Sequence, residues 1–427
     1  MRRSRRMLFT ALLVLAATGC ESAGSPDGVT PPEFPLGVAS GDATSEGALL
    51  WALYRGSASV QLMVALEDGA SSQTIPVTPD AEGFVHAEVR GLEPGRWYRY
   101  EFVETLGGAE TARSGPGRFR TAFGDDTLAP LRVGAVSCIN QRYPLLPLRR
   151  AAERTDLDAF LLAGDTLYAD GAKTIDGFRS KWHEALGREP HRLLRASTSL
   201  IATWDDHEVV DNFPNAQSEG LVDIARDRLF EFMPMRRQAQ PERLWRRLRW
   251  GRTAEFFVLD TRGERNRANG EYVSQAQLDW LTTGLSTSPA RFKVILNSVP
   301  ISEFPGPLFG SQREDRWEGF ATQRAALLRH IDDAKIPGVL WVSGDFHLAL
   351  AGRVSRQGPG ASAIEVLVGP AGQRPNTSPT YPGKPQVDFA TGVNNFTVID
   401  LDPATGAARL QFIAGDGRVI GDFSYAL

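Results

Sequence analysis

Three apolar runs each end in an acidic motif, and this constrains the chain more than any other feature. Ala159-Phe-Leu-Leu-Ala-Gly-Asp165 leads into Thr-Leu-Tyr168. Leu200-Ile-Ala-Thr-Trp204 leads into Asp205-Asp206-His207-Glu208. Gly338-Val-Leu-Trp-Val-Ser-Gly-Asp345 leads into Phe346-His347. A fourth run, Leu131 to Ser137, ends on Cys138. Nearly continuous apolar runs suit strands covered on both faces. Ligands of such sheets gather just outside the carboxyl ends of the strands. Asp, His, Tyr and Cys are metal-ligand types, so the pattern predicts a metal site built for hydrolysis.

The chain has 427 residues, too many for one ordinary core, and two domains are expected. Its first 19 residues carry Arg2, Arg3, Arg5 and Arg6 and no acid. The rest holds 43 basic against 51 acidic side chains, a net of −8. That balance gives no electrostatic footprint for wrapping nucleic acid. Met7 to Thr18 is apolar but too short for a membrane span, so residues 1–19 read as a signal peptide. Ala17-Thr-Gly-Cys20 resembles a lipobox, in which Cys20 is lipidated and anchors the chain to a membrane. Ser4-Arg-Arg-Met-Leu-Phe9 resembles a twin-arginine export signal; an ordinary secretory signal is the alternative. The expected location is the cell envelope, on its periplasmic or extracellular face. Residues 20–33 are polar, rich in Gly and Pro, and read as a tether. With Cys20 lipidated, Cys138, the other of the 2 cysteines, has no disulfide partner.

Residues 34–123 show short alternating strands between Gly, Asp and Ser clusters: Ala48–Tyr54, Val60–Ala65, Phe84–Val89 and Trp97–Phe102. Gly91-Leu-Glu-Pro-Gly95 before alternating aromatics resembles the tyrosine corner of fibronectin type III and immunoglobulin-like domains, so a small β-sandwich is expected. From 130 to 427 apolar strands alternate with amphipathic stretches, as in an α/β (α+β) arrangement of layered sheets flanked by helices. Residues 370–394 read as a long loop near the site. His86 reads as an outward-facing strand residue, and His183, His191 and His330 as surface histidines.

Several candidate ligands carry a bland alternative. Asp165 can bridge two cations, or cap a turn. Tyr168, three residues on, can reach the same place; phenolate is a hard donor that a strong cation must hold. Cys138 is either a thiolate ligand or a small buried apolar residue. Asp206 can bind a cation, and His207 can protonate a leaving group. Asp205 and Glu208 either bind or orient their neighbours. Asp345 and His347 share a side if their strand persists. Asn297 ends a further apolar run and offers a neutral oxygen, or bonds its own turn. Two histidines are few for zinc, and the oxygen-rich set suits iron with a hard divalent cation such as calcium, manganese or magnesium.

Val136-Ser-Cys138, Gly164-Asp-x-x-Tyr168, Trp204-Asp-Asp-His-Glu208, Leu259-Asp-Thr-Arg262 and Gly344-Asp-x-His347 follow one another in this order. Together with Phe34-Pro-Leu-Gly-Val-Ala-Ser-Gly-Asp42, they resemble the PhoD-type alkaline phosphatases and phosphodiesterases, within the calcineurin-like metallophosphoesterases. The resemblance implies ferric iron on Cys138, Asp165, Tyr168 and His347. It further implies one or two calcium ions on Asp165, Asp206, Asn297 and Asp345. Asp206 and Asp345 depart from the wider superfamily, which has Asn and His there. The expected activity is hydrolysis of small phosphate mono- or diesters by a monomer. His207 would act on the leaving group, and Arg142 or Arg262 on a phosphate oxygen. Two rivals stand: a surface binding protein with an inactive catalytic domain, and an iron oxidoreductase.

Overall fold

The computed structural model describes residues 30–212, 220–304, 310–374, 376 and 386–427. The signal peptide, Cys20 and most of the tether lie outside them. Among the described residues no helix is long and apolar enough to cross a membrane.

Two mixed sheets form the centre. In the first, Leu131–Ile139, Ala159–Ala163 and Ser199–Thr203 run parallel and side by side. In the second, Ala254–Val258, Phe292–Leu296 and Val339–Ser343 do the same. The strands Ala159–Ala163, Ser199–Thr203, Ala254–Val258, Phe292–Leu296 and Val339–Ser343 are buried at every position, because both faces are covered. Alternate residues go to opposite faces. Leu161, Ile201, Phe256, Val294 and Leu340 fill one core between the sheets. Phe160, Leu162 and Leu200 face the helices Leu146–Ala152, Ile175–Leu186, Glu189–Ser197 and Leu221–Phe232. Phe257, Ile295 and Trp341 face Gln275–Thr287 and Ala321–Asp333. The layers are therefore helix, sheet, sheet, helix. Thr203 Oγ1 donates to Leu259 O (2.6 Å), tying the carboxyl end of one sheet to the other.

The N-terminal segment is two-layered as expected. Ser59–Leu66 alternates strictly, one face to solvent and one inward, in a 5-stranded sheet with Trp97–Leu106 at its centre. Tyr98 Oη accepts from Glu93 N (2.8 Å), the bond of a tyrosine corner. The facing layer is not a separate sheet, however. Val38–Thr44 pairs in parallel with Ser199–Thr203, and Gly47–Leu53 and Phe84–Val89 follow it. The first sheet so reaches ten strands, three of them N-terminal. At its other edge Asn395–Asp402, Ala407–Ala414 and Val419–Ala426 form an antiparallel meander.

Two sequence expectations are corrected. The 370–394 stretch is not all loop: Pro370–Gly372 pairs with Leu131–Ile139, and Val387–Thr391 with Ala349–Arg353. His191 is not at the surface; it is buried with Leu194 and Arg195 on the inner face of its helix. His86 does stand exposed, as an outward strand residue.

Asp42 joins the N-terminal strand to the second sheet. It is 1 % exposed and takes Arg246 Nη2 at 2.8 Å and Arg236 N at 2.8 Å. Removing one partner of a buried pair strands the other charge. Asp42→Ala should cost about 3–5 kcal/mol in urea unfolding. Glu88→Ala, which breaks the part-exposed pair with Arg236, should cost no more than about 1 kcal/mol.

Candidate metal centre

The carboxyl ends of both central sheets meet at one cavity of about 310 Å³. Asp165, Asp206, His207, Asp345 and His347 line it, with Asp211, Asn212, Asp315, Arg316, Phe346 and Asn376. Three groups of donor atoms lie within 4.8 Å of one another: Cys138, Asp165 and His347; Asp165, Asp206 and His207; Asp205, Asp206 and Asp345. Asp165 belongs to the first two and Asp206 to the last two. Residues from four strand ends, far apart in sequence, are thus brought to one place.

The backbone is bent to do this. Cys138, Asp165, Asn212, Asp345 and His347 all have positive φ, between 52° and 68°. The left-handed region is rarely used by residues with a Cβ and marks functional strain when it clusters. Gly164 precedes Asp165 at φ 83°, and a Cβ there would stand 2.5 Å from Asp205 Cβ. A Cβ on Gly344 would stand 2.6 Å from Ser137 Cβ. Both glycines let neighbouring strand-end loops close on each other.

Tyr168 Oη donates to Asp165 Oδ2 (3.1 Å) and lies 3.2 Å from His347 Nε2. Gln141 clasps the Tyr168 backbone, accepting from its N–H and donating to its carbonyl (both 3.1 Å). The Tyr168 and His207 rings sit 4.0 Å apart. His207 Nδ1 is 2.8 Å from Asp170 Oδ2, and His207 N donates to Asp165 Oδ1 (3.3 Å). Glu208, buried, accepts from Asp165 N (3.0 Å), Thr166 N (2.6 Å) and Asp205 N (2.9 Å). Asn212 N donates to Asp206 Oδ2 (2.6 Å), whereas Asp206 Oδ1 is buried without a hydrogen bond.

The electrostatics follow from burial of like charge. Burial and Asp165 push the Cys138 thiol well up. Burial drives the Asp165 carboxyl well up, Asp206 adding to it and His207 opposing. Burial and the Asp165 charge raise the Tyr168 phenol, and burial and Asp205 raise Asp345. Burial also acts on Asp206, but Arg262 and His207 outweigh it and hold that carboxyl low. For His207, burial opposes the charge, but Asp165, Asp170 and Asp206 overcome it and push the imidazole up to about 11. Burial and His207 hold His347 down to about 4. A bound cation reverses this logic, since it favours thiolate, phenolate and carboxylate alike.

Three expected residues sit differently. Arg262 is fully enclosed, does not line the cavity, and grips Asp205 and Asp315. Its Nη2 lies 3.5 Å from Asp206 and 3.6 Å from Asp345. Its guanidinium therefore faces carboxylates where a phosphate oxygen was expected. Arg142 is exposed and outside the cavity lining, its N–H bonded to Asn140 Oδ1 (3.1 Å). Asn297 is enclosed; its amide nitrogen donates to Val299 O, and its oxygen accepts from Trp317 Nε1 at 3.4 Å. Sequence reasoning missed Asp170, Asp315 and Arg316. Asp170 follows Tyr168 by two residues and was within reach of the motif; Asp315 and Arg316 lie in a polar stretch that no apolar run marks.

Comparison with known proteins agrees with this geometry. The family model described as PhoD-like phosphatase matches residues 133–397, and that of its N-terminal domain matches 19–123. Alkaline phosphatase D of Bacillus subtilis (strain 168) is 23 % identical over 411 residues, spanning 81 % of this chain and 69 % of that protein. The solved structure of PhoD superposes with a TM-score of 0.78 at 21 % identity, covering 92 % of this chain and 89 % of that one. The purple acid phosphatase PPD1 from yellow lupin (Lupinus luteus) gives 0.66 at 14 % identity, covering 91 % and 73 %. Those structural likenesses concern the fold; with most of the catalytic half matched by the family model, the chain belongs to the PhoD-like phosphatase family and is a phosphoric ester hydrolase.

Proposed function

We propose that this phosphatase is exported, depends on metal, and releases phosphate from small phosphate mono- or diesters. The observation that supports metal dependence is the donor set itself. Thiol, imidazole and carboxylates from four strand ends converge within 4.8 Å in overlapping groups, and the Tyr168 phenol lies 3.1 Å from Asp165 and 3.2 Å from His347. Two buried carboxylate oxygens among them, Asp205 Oδ2 and Asp206 Oδ1, make no hydrogen bond, Arg262 Nη2 standing 3.5 Å from the latter. Such oxygens are costly unless a cation meets them. The donors thus fit metal ions.

Cys138, Asp165, Tyr168 and His347 would hold ferric iron, the hard and soft anionic donors suiting a highly charged ion. Asp165, Asp206 and Asp345 would hold one or two calcium ions, or manganese or magnesium in their place. Asn297 would join them through its amide oxygen, which already accepts one bond from Trp317 at 3.4 Å and has a second lone pair. When bound, these cations supply neutralisation of phosphate oxygens and ready ionisation of a water. The chain's own part is positional. Asp165 belongs to two donor groups and keeps them together. His207 faces the cavity with its ring fixed by Asp170 and by Tyr168, and can pass a proton to the departing alkoxide. Asp170 holds the imidazole in one orientation, as a carboxylate partner does in other acid–base sites. Among the described residues Arg316 lines the cavity, its Nη2 3.1 Å from Glu318, and would face a phosphate oxygen with the rest of its guanidinium. Lipidation at Cys20 and the twin-arginine signal would place the enzyme on the cell-envelope side of a membrane, as a monomer acting on soluble esters.

Natively exported protein should hydrolyse a nitrophenyl phosphate ester and lose that activity on chelation. His207→Asn should lower kcat by about 10²–10⁴ with metal content intact; an unchanged kcat removes His207 from the chemistry. Elemental analysis should find iron together with calcium. A tyrosinate-to-iron absorption band should be present and should vanish in Tyr168→Phe, whereas its persistence would take Tyr168 out of the iron site.

A further inference from the structure

Glu208 makes no contact with the cavity, yet it touches both loops that carry the central donors. It is 1 % exposed. Oε2 accepts from Asp165 N at 3.0 Å and Asp205 N at 2.9 Å, and Oε1 accepts from Thr166 N at 2.6 Å. The loops answer in the other direction, His207 N donating to Asp165 Oδ1 at 3.3 Å. Asp165 stands at φ 52° after Gly164 at φ 83°, so the segment Glu208 grips is the bent one. Straightening it would turn the Asp165 carboxylate away from Cys138, Asp206 and His347. The neighbours also push apart: Asp165, Asp205 and Asp206 are buried carboxylates at the ends of adjacent parallel strands. Backbone amides are fixed donors, and a carboxylate accepting three of them holds two loops in one register.

We infer that Glu208 is a positioning residue that holds the Asp165 and Asp206 loops in their metal-ready arrangement before any cation arrives. The inference rests on the metal-dependent reading above. It assigns to Glu208 an effect on metal affinity, with substrate recognition left to residues lining the cavity. A glutamine in its place keeps the shape. It turns one acceptor oxygen into an NH₂ group facing backbone N–H donors, so at least one of the three bonds must open.

The test is metal affinity in Glu208→Gln, measured by competition with a graded chelator for calcium and for iron, on protein whose near-ultraviolet circular dichroism matches the parent. A loss of about 10–100-fold in affinity is expected, the range typical of groups that orient metal ligands. KM for a nitrophenyl phosphate ester at saturating metal should stay within about twofold. Asp332→Asn, on the outer helix Ala321–Asp333, serves as the control and should leave affinity unchanged. Wild-type protein that binds metal, with Glu208→Gln binding equally well, overturns this inference alone. Wild-type protein that binds no metal overturns it together with the metal-dependent reading. Should Glu208→Gln fail to fold, Glu208→Asp, which keeps the charge on a shorter arm, is measured in the same way. Failure of both to fold at saturating metal assigns Glu208 to folding and overturns the inference.

Discussion

Burial of negative charge at the strand ends is the constraint to which the rest of the molecule answers. Asp165, Asp205, Asp206 and Glu208 are all at most 3 % exposed, and Asp345 lies beside them. Isolated carboxylates in such a place would cost several kcal/mol each. The protein meets part of that cost with groups of its own. Arg262, enclosed, takes Asp205 and Asp315 and stands near Asp206 and Asp345. Backbone amides take Glu208 and the second oxygen of Asp206. Asp165 and Asp345 are left without a matching guanidinium at hydrogen-bond distance, and their carboxyls are pushed up by burial. The donor chemistry and the missing charge therefore point the same way.

The layered sheets supply the rigidity that such a site needs. Positioning to within about half an ångström is easier on strands packed on both faces than on free loops. The N-terminal segment contributes to this through Val38–Thr44, which extends the first sheet beside Ser199–Thr203. That strand is one neighbour of the strand whose end carries Asp205 and Asp206, the other being Ala159–Ala163 before Asp165. Hydrophobic residues of both N-terminal layers join the core between the central sheets. The N-terminal domain is consequently part of the scaffold under the site, and its separation from the catalytic half by sequence pattern understates how closely the two are joined.

Much of this was readable beforehand because strand-end motifs combine two strong signals, an unbroken apolar run and a change to Gly-Asp or Asp-Asp. Asp165, Asp206, His207, Asp345 and His347 announced themselves in that way, and Cys138 by its place after Val136-Ser137. The shared sheet was hidden, since a short strand of small residues such as Val38–Thr44 looks the same whether it pairs within its own domain or with Ser199–Thr203. Arg262 was visible but misplaced: a guanidinium after an apolar strand suits a phosphate as well as a carboxylate, and only the packing of Asp205 and Asp315 against it decides. Arg316 and Asp315 had no periodic signal at all. Asn297 shows the opposite limit, a residue in the expected place whose amide is turned to Val299 and Ser343.

Left-handed backbone at Cys138, Asp165, Asp345 and His347 links these points. An extended strand would send successive side chains to alternate faces, so a carboxylate just past its end would stand out from one face of the sheet. One residue at positive φ redirects the chain and lets donors from adjacent strands face one another. That conformation costs of order 1–3 kcal/mol per residue and persists only where surrounding contacts hold it. Here they are visible: glycine at 164 and 344 clears the space, Glu208 bonds the Asp165 and Thr166 amides, and Ser137 Oγ is bonded to Val368 O at 3.0 Å beneath Cys138. The unfavourable backbone and the unfavourable charge are thus concentrated at the same few residues, and a cation bound among them would relieve the second while the loops around it maintain the first.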